Sequence, residues 1–205
     1  MTLIHIIPHR VFELVTHLGD SALLIPFSIA IVAGLLWQNR ASTAFRFGAV
    51  VAADAVLTLI SKLSFYAGGG SPDLNILTPS GHSSLSITVY GCLAVILASR
   101  RPFAQQALIL GAATVGLVAI SISRIVLGMH TPQEVLFGTL VGGLCVAVFS
   151  LGSAHLPRVR LQLPIRLLVV LAIGSVSVWA IGHRLNTEGM IGRVGTEIGS
   201  VLRSS

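Results

Sequence analysis

An all-α fold, a polytopic membrane bundle, follows from three observations. The 205-residue chain is 54% hydrophobic and 10% charged, with a mean hydropathy of +0.90, far outside the range of a soluble domain of this length. Its charged residues are separated by apolar intervals of about 20 residues, the length that crosses a bilayer. Its basic residues gather in alternate loops. Together these give about six transmembrane helices and an N-terminal interfacial helix, in one compact domain over residues 1–205 with no internal repeat, low-complexity tract or linker.

Taken in chain order, the first apolar run is short and is broken by His5, Pro8, His9 and Arg10, so no cleavable signal peptide is expected. Residues 1–20 read as the interfacial helix, because Val11, Leu14, Val15 and Leu18 fall at i, i+3, i+4, i+7 while Arg10, Glu13 and His17 lie elsewhere. No charge occurs between Asp20 and Arg40, between Arg101 and Arg124, between Glu134 and Arg158, or between Arg166 and Arg184. Each of these gaps holds a span. Two more fill the intervals: Arg46 to Phe65, apolar apart from Asp54 and Lys62, and the shorter Ser83 to Ser99. The tail, 184–205, is glycine-rich with Ile191, Val194 and Ile198 only weakly spaced, and reads as interfacial or poorly ordered. Cys92 and Cys145 sit inside predicted spans, where small apolar packing is expected rather than a disulfide.

The net charge of +6 points to a topology, not to nucleic acid. Arg40 and Arg46, then Arg100 and Arg101, then Arg158, Arg160 and Arg166 occupy the loops after spans one, three and five. The positive-inside rule puts those loops in the cytoplasm and both termini outside. The opposite short loops carry Lys62 and Arg124, with Arg10 before the first span and Arg184, Arg193 and Arg203 in the tail.

Ionisable groups near membrane depth are expensive and point to function. Here they fall on the side opposite the basic loops. Lys62, the only lysine, ends the second span; Ser80 and His82 start the third; Arg124 ends the fourth; His130 and Glu134 open the fifth. Asp54 lies about 12 Å deeper than Lys62 at the helical rise of about 1.5 Å per residue, too far for a direct pair, and reads as a carboxyl bonded within the bundle or kept neutral. In the stretch TPSGHSSLSI, Ser80 can cap the following helix, Gly81 lets the backbone approach a ligand, and His82 sits in a first turn whose free N–H groups and positive dipole end bind phosphate. In SRIVLGMHTPQEVLFG, Thr131, Pro132 and Glu134 form a helix start with Thr131 as N-cap and Glu134 as its capping-box partner. The cap accounts for Glu134 but not for Arg124 and His130. His5 and His9 have no evident third metal ligand, and His17, His155 and His183 read as boundary residues.

Lys62, then Pro79-Ser80-Gly81-His82, then Ser123-Arg124 with five residues before His130 and an acid four positions on, resemble the signature of the type 2 phosphatidic acid phosphatase superfamily, which includes the vanadium haloperoxidases. Gly128, Pro132, Val135 and Gly138 look like the usual filling of its third motif, and the resemblance covers about residues 45–150. There are two departures. Gly69 and Gly70 stand where the first motif has Arg-Pro, and Glu134 stands where the third usually ends in aspartate.

The resemblance implies an integral membrane phosphatase that hydrolyses a lipid phosphate or diphosphate, of the phosphatidate, phosphatidylglycerol phosphate or polyprenyl diphosphate class, without metal or other cofactor. His130 would attack phosphorus to give a phosphohistidine, Glu134 would orient its imidazole, and His82 would protonate the departing alcohol. Lys62, Ser80, the Gly81 amide and Arg124 would cradle the phosphate. The expected setting is a bacterial cytoplasmic membrane with the site facing the periplasm or exterior. The missing arginine motivates one alternative, a weakened or inactive member that binds phosphorylated lipid or a partner protein. A transporter is disfavoured because the polar residues cluster at one face, and haloperoxidase chemistry by the membrane-dominated chain.

Overall fold

The computed structural model describes residues 9–70, 76–151 and 187–204. Seven α-helices fall among them: α1 (His9–His17), α2 (Ser21–Trp37), α3 (Ala41–Gly68), α4 (Gly81–Ala98), α5 (Phe103–Val126), α6 (Pro132–Leu151) and α7 (Thr187–Ser204). Helices α3 to α6 are each long and apolar enough to cross a membrane, and α1 with α2, bent by 41°, adds a fifth span if the two are one unit. The sixth expected span, at 166–184, lies outside the described residues, as do His5, His155 and His183. Val11, Leu14 and Leu18 are exposed while Thr16 is buried, as suits an apolar face turned to an interface.

The helix ends follow local chemistry. Asp20 caps α2, its carboxylate accepting from the Ala22 N–H at 3.5 Å. Helix α3 ends on Gly69 and Gly70, both left-handed, with Gly69 N–H donating to Tyr66 O and Gly70 N–H to Phe65 O. These are the two bonds of a Schellman cap, so the glycines that replace Arg-Pro end the helix. Helix α5 ends in the same way at left-handed Gly128, where Gly128 N–H reaches Ile125 O and Met129 N–H reaches Arg124 O.

Helix α4 is the hub, packed against α2, α3, α5 and α6. Leu24, Leu35, Phe47, Val89, Ile96 and Phe149 anchor the buried core that α2, α3, α4 and α6 share. Near the polar end, α4 and α6 approach backbone to backbone. A Cβ on Gly138 would collide with the Ser80 carbonyl oxygen, and one on Gly142 would stand 2.5 Å from the Ser84 carbonyl oxygen. Two small residues four apart give this close approach, the way membrane helices associate when hydrocarbon supplies no hydrophobic drive. Cys92 and Cys145 are buried free thiols.

Of the two expectations for the tail, the poorly ordered one gives way to a helix over residues 187–204. This helix packs on α3. Gly192, Gly195 and Gly199 clear one face of α7 so that it lies against Tyr66 and Ala67; a Cβ on Gly195 would be 2.5 Å from Tyr66 Cβ. Tertiary contact overrides the poor helix propensity of glycine.

Gly138→Ala is expected to lower stability by about 1–3 kcal/mol, the usual cost of overpacking. Gly143, with open space around its Cβ position, provides the control, and Gly143→Ala should be neutral or slightly stabilising because alanine favours helix. Thermal unfolding of both variants in detergent measures the difference. Equal effects would refute the close α4–α6 contact.

Candidate active site

The site is assembled at one end of the bundle, where α3 and α5 finish and α4 and α6 begin. The capping box foreseen at Thr131 is formed: Glu134 N–H donates to Thr131 Oγ1 at 3.3 Å, and Thr131 N–H donates to Glu134 Oε2 at 3.1 Å. The carboxylate also does more than cap. Oε2 lies 2.8 Å from His130 Nδ1, while Oε1 accepts the Leu77 and Thr78 N–H groups at 2.8 and 3.0 Å. Glu134 is buried, and its charge is met by four donors, which offsets the cost of removing it from water. The extra methylene relative to aspartate lets one oxygen hold His130 while the other holds the loop before α4. A third tie runs from Ser80 N–H to the Glu134 carbonyl at 3.1 Å.

Ser80 is fully buried and caps α4. Its Oγ accepts from Ser83 N–H at 3.5 Å and lies 3.1 Å from Ser83 Oγ. Arg124 is buried as well. Its guanidinium donates to Thr16 Oγ1 on α1 at 3.2 Å and to Met129 Sδ at 2.8 Å. The Arg124 carbonyl accepts the His130 N–H at 3.3 Å, so the left-handed turn at Gly128 folds His130 back beside the end of α5. Ser80, Arg124, His130 and Glu134 thus form one buried hydrogen-bonded group.

Lys62, Gly81 and His82 form an adjoining group that lines a cavity of about 630 Å³ between α2, α3 and α4. A Cβ on Gly81 would meet Lys62 Cε at 3.5 Å and Nζ at 3.6 Å, so the lysine ammonium lies against the first turn of α4. Away from these residues the lining is mostly apolar, with Ile25, Ile29, Val32, Val51 and Leu59, although Asp20, Ser28, Asp54 and Thr58 also reach it. Asp54 reaches the same cavity but is held by Ser84, whose hydroxyl donates to Oδ1 at 2.5 Å. This is the bonded carboxyl that its depth suggests.

Two residues at the site have no counterpart in the sequence reading. Thr16 meets Arg124, and Asp20 Oδ1 stands 3.8 Å from His82 Nε2. Asp20 before an apolar run signals a cap, but nothing in the sequence pairs it with a histidine 62 positions on. His9 is paired instead with Glu13 at 3.5 Å. Among the described residues no three of His, Cys, Asp and Glu come together in an arrangement that could hold a metal ion.

Glu134→Asp should release either the loop at Leu77 and Thr78 or the His130 imidazole, and Glu134→Gln turns an amide N–H₂ toward donors. Each is expected to cost about 1–3 kcal/mol, the penalty for buried groups left unsatisfied. Thermal unfolding in detergent reads the loss, and wild-type stability in both variants would contradict the bridging role.

The sequence model of the PAP2 superfamily matches residues 62–156, which begin at Lys62 and take in all seven of the expected site residues. Phosphatidylglycerophosphatase B of Bacillus subtilis is 29% identical over 137 residues, covering 62% of this chain and 66% of that protein. The chain therefore spans just under two thirds of that relative's length. A Klebsiella pneumoniae protein described as an uncharacterized 22.5 kDa protein in the cps region is 22% identical over 191 residues, covering 92% of this chain and 91% of the relative. No solved structure matches the chain.

Proposed function

We propose that this chain, whose residues 62–156 match the PAP2 superfamily, is an integral membrane phosphatase acting on a lipid phosphate or diphosphate through a phosphohistidine. The observation that carries the reading is the buried His130–Glu134 pair at 2.8 Å. A carboxylate on Nδ1 favours the tautomer whose lone pair is on Nε2 and stabilises the cation that forms when that lone pair attacks.

In the first step the Nε2–P bond forms as the bond from phosphorus to the leaving oxygen breaks, and His82 gives that oxygen its proton. Water then attacks phosphorus, its proton passes to His82, and the N–P bond breaks to release phosphate and restore His130. Lys62, Arg124, Ser80 and the first-turn amides of α4 neutralise the transferred oxygens. Lys62 and Arg124 are both buried, where such charges act more strongly than in water.

An amphiphilic substrate fits the cavity. Its polar end carries Lys62, Gly81 and His82, and its apolar walls suit an acyl or prenyl chain. The name of the Bacillus subtilis relative makes phosphatidylglycerol phosphate the first substrate to test, with phosphatidate and a polyprenyl diphosphate beside it. Arg40, Arg46, Arg100 and Arg101 lie at the opposite helix ends, so the positive-inside rule turns the site toward the periplasm or exterior of a bacterial cytoplasmic membrane. The left-handed Gly69 and Gly70, standing where the family signature has Arg-Pro, support a second reading: a weakened member that retains lipid phosphate without efficient turnover.

Phosphate release from these three lipids in mixed micelles separates the readings. The purified protein is expected to liberate inorganic phosphate from at least one, and His130→Ala to lose about 100-fold or more. Lipid binding with no phosphate released would favour the second reading. Because His130 must be neutral while His82 is protonated, the rate should rise and then fall with pH. A profile that rises or falls throughout would remove the two-histidine scheme.

A further inference from the structure

We propose that Asp20, at the elbow between α1 and α2, is a positioning residue that holds His82 protonated and oriented for leaving-group protonation. The inference rests on the phosphatase reading above and adds to it a residue outside the segment that matches the family.

His82 has surroundings that oppose its role as an acid. It is the second residue of α4, where the positive end of the helix disfavours a cation. Lys62 on α3 lines the same cavity, and Arg124 on α5 belongs to the adjoining buried group. Of the acids nearby, Asp54 on α3 is engaged by Ser84 and Glu134 on α6 by His130 and three backbone amides. Among the described residues Asp20 is the acid within ion-pair range of His82, its Oδ1 3.8 Å from Nε2, with both side chains about one-fifth exposed at 23% and 21%. A carboxylate at that distance favours the imidazolium. The Nε2–H of that imidazolium then faces Asp20.

The elbow is fixed in place. Gly19 fills a niche where a Cβ would stand 2.8 Å from both Ile120 Cγ2 and Ser86 Oγ, Tyr90 Oη donates to Leu18 O at 2.9 Å, and Thr16 accepts from Arg124. The carboxylate is therefore delivered to His82 by packing against α4 and α5.

The experiment compares Asp20→Asn and Asp20→Ser with wild type. Asparagine and serine cap helices as well as aspartate does, so both variants keep the α2 cap and remove the charge. Two substrates are used: the alkyl ester phosphatidylglycerol phosphate, whose leaving oxygen needs a proton, and p-nitrophenyl phosphate, whose leaving group departs without one. On the alkyl ester both variants should lose about 10-fold or more in kcat at little change in KM, and the alkaline limb of the pH profile should move to lower pH, since imidazolium without its counter-charge loses its proton sooner. On the nitrophenyl ester the loss should be at most about 2-fold. Equal losses on the two esters, or an alkaline limb that stays in place, overturns the proposal, as does wild-type kcat on the alkyl ester. A wild-type protein that releases phosphate from none of the three lipids and is inert toward the nitrophenyl ester overturns the phosphatase reading and this inference with it.

Discussion

The carboxylate of Glu134 is the constraint on which the polar end of the bundle depends. A buried charge at membrane depth is tolerated only when donors surround it, and here the donors come from two separate stretches of chain: Leu77 and Thr78 before α4, and His130 with Thr131 before α6. Satisfying one anion therefore brings together the loop that carries Ser80 and the turn that carries His130. The Ser80 N–H bond to the Glu134 carbonyl and the bare backbone of Gly138 beneath the Ser80 carbonyl lock the same junction from the backbone side.

Around that junction the bundle is organised by helix ends. Positive dipole ends of α4 and α6 and the buried cations Lys62 and Arg124 share one end of the molecule, which makes it suited to an anion. The left-handed glycines at 69, 70 and 128 are equally part of this design, because they stop α3 and α5 and reverse the chain within a few residues. At Gly128 the reversal returns His130 to Arg124. At Gly69 the same device occupies the place where the family signature has its first arginine, so that charge is exchanged for a tight helix end.

Elements outside the family-matched segment complete the arrangement. Helix α1 supplies Thr16 to Arg124, the elbow before α2 supplies Asp20 to His82, and α7 lays its glycine face on the end of α3 while Ile191 reaches the cavity. The apolar wall of that cavity is built from α2 and α3.

Several features are legible in the sequence because they rest on local chemistry or on spacing along one helix. The bundle follows from apolar runs bounded by charges; the caps at Ser80 and Thr131 follow from hydroxyl residues before helix starts; the face shared by Lys62, His82, Arg124 and His130 follows from counting alternate helix ends. Tertiary structure alone decided the rest. The sequence does not show that Glu134 spans two loops, that Asp20 faces His82 across 62 positions, or that glycines at 192, 195 and 199 fit Tyr66 and Ala67 and turn an apparently weak tail into a packed helix. Those contacts join residues distant in the chain, and which partners meet is set by how closely backbones can pack, a property of the assembled bundle that no local pattern encodes.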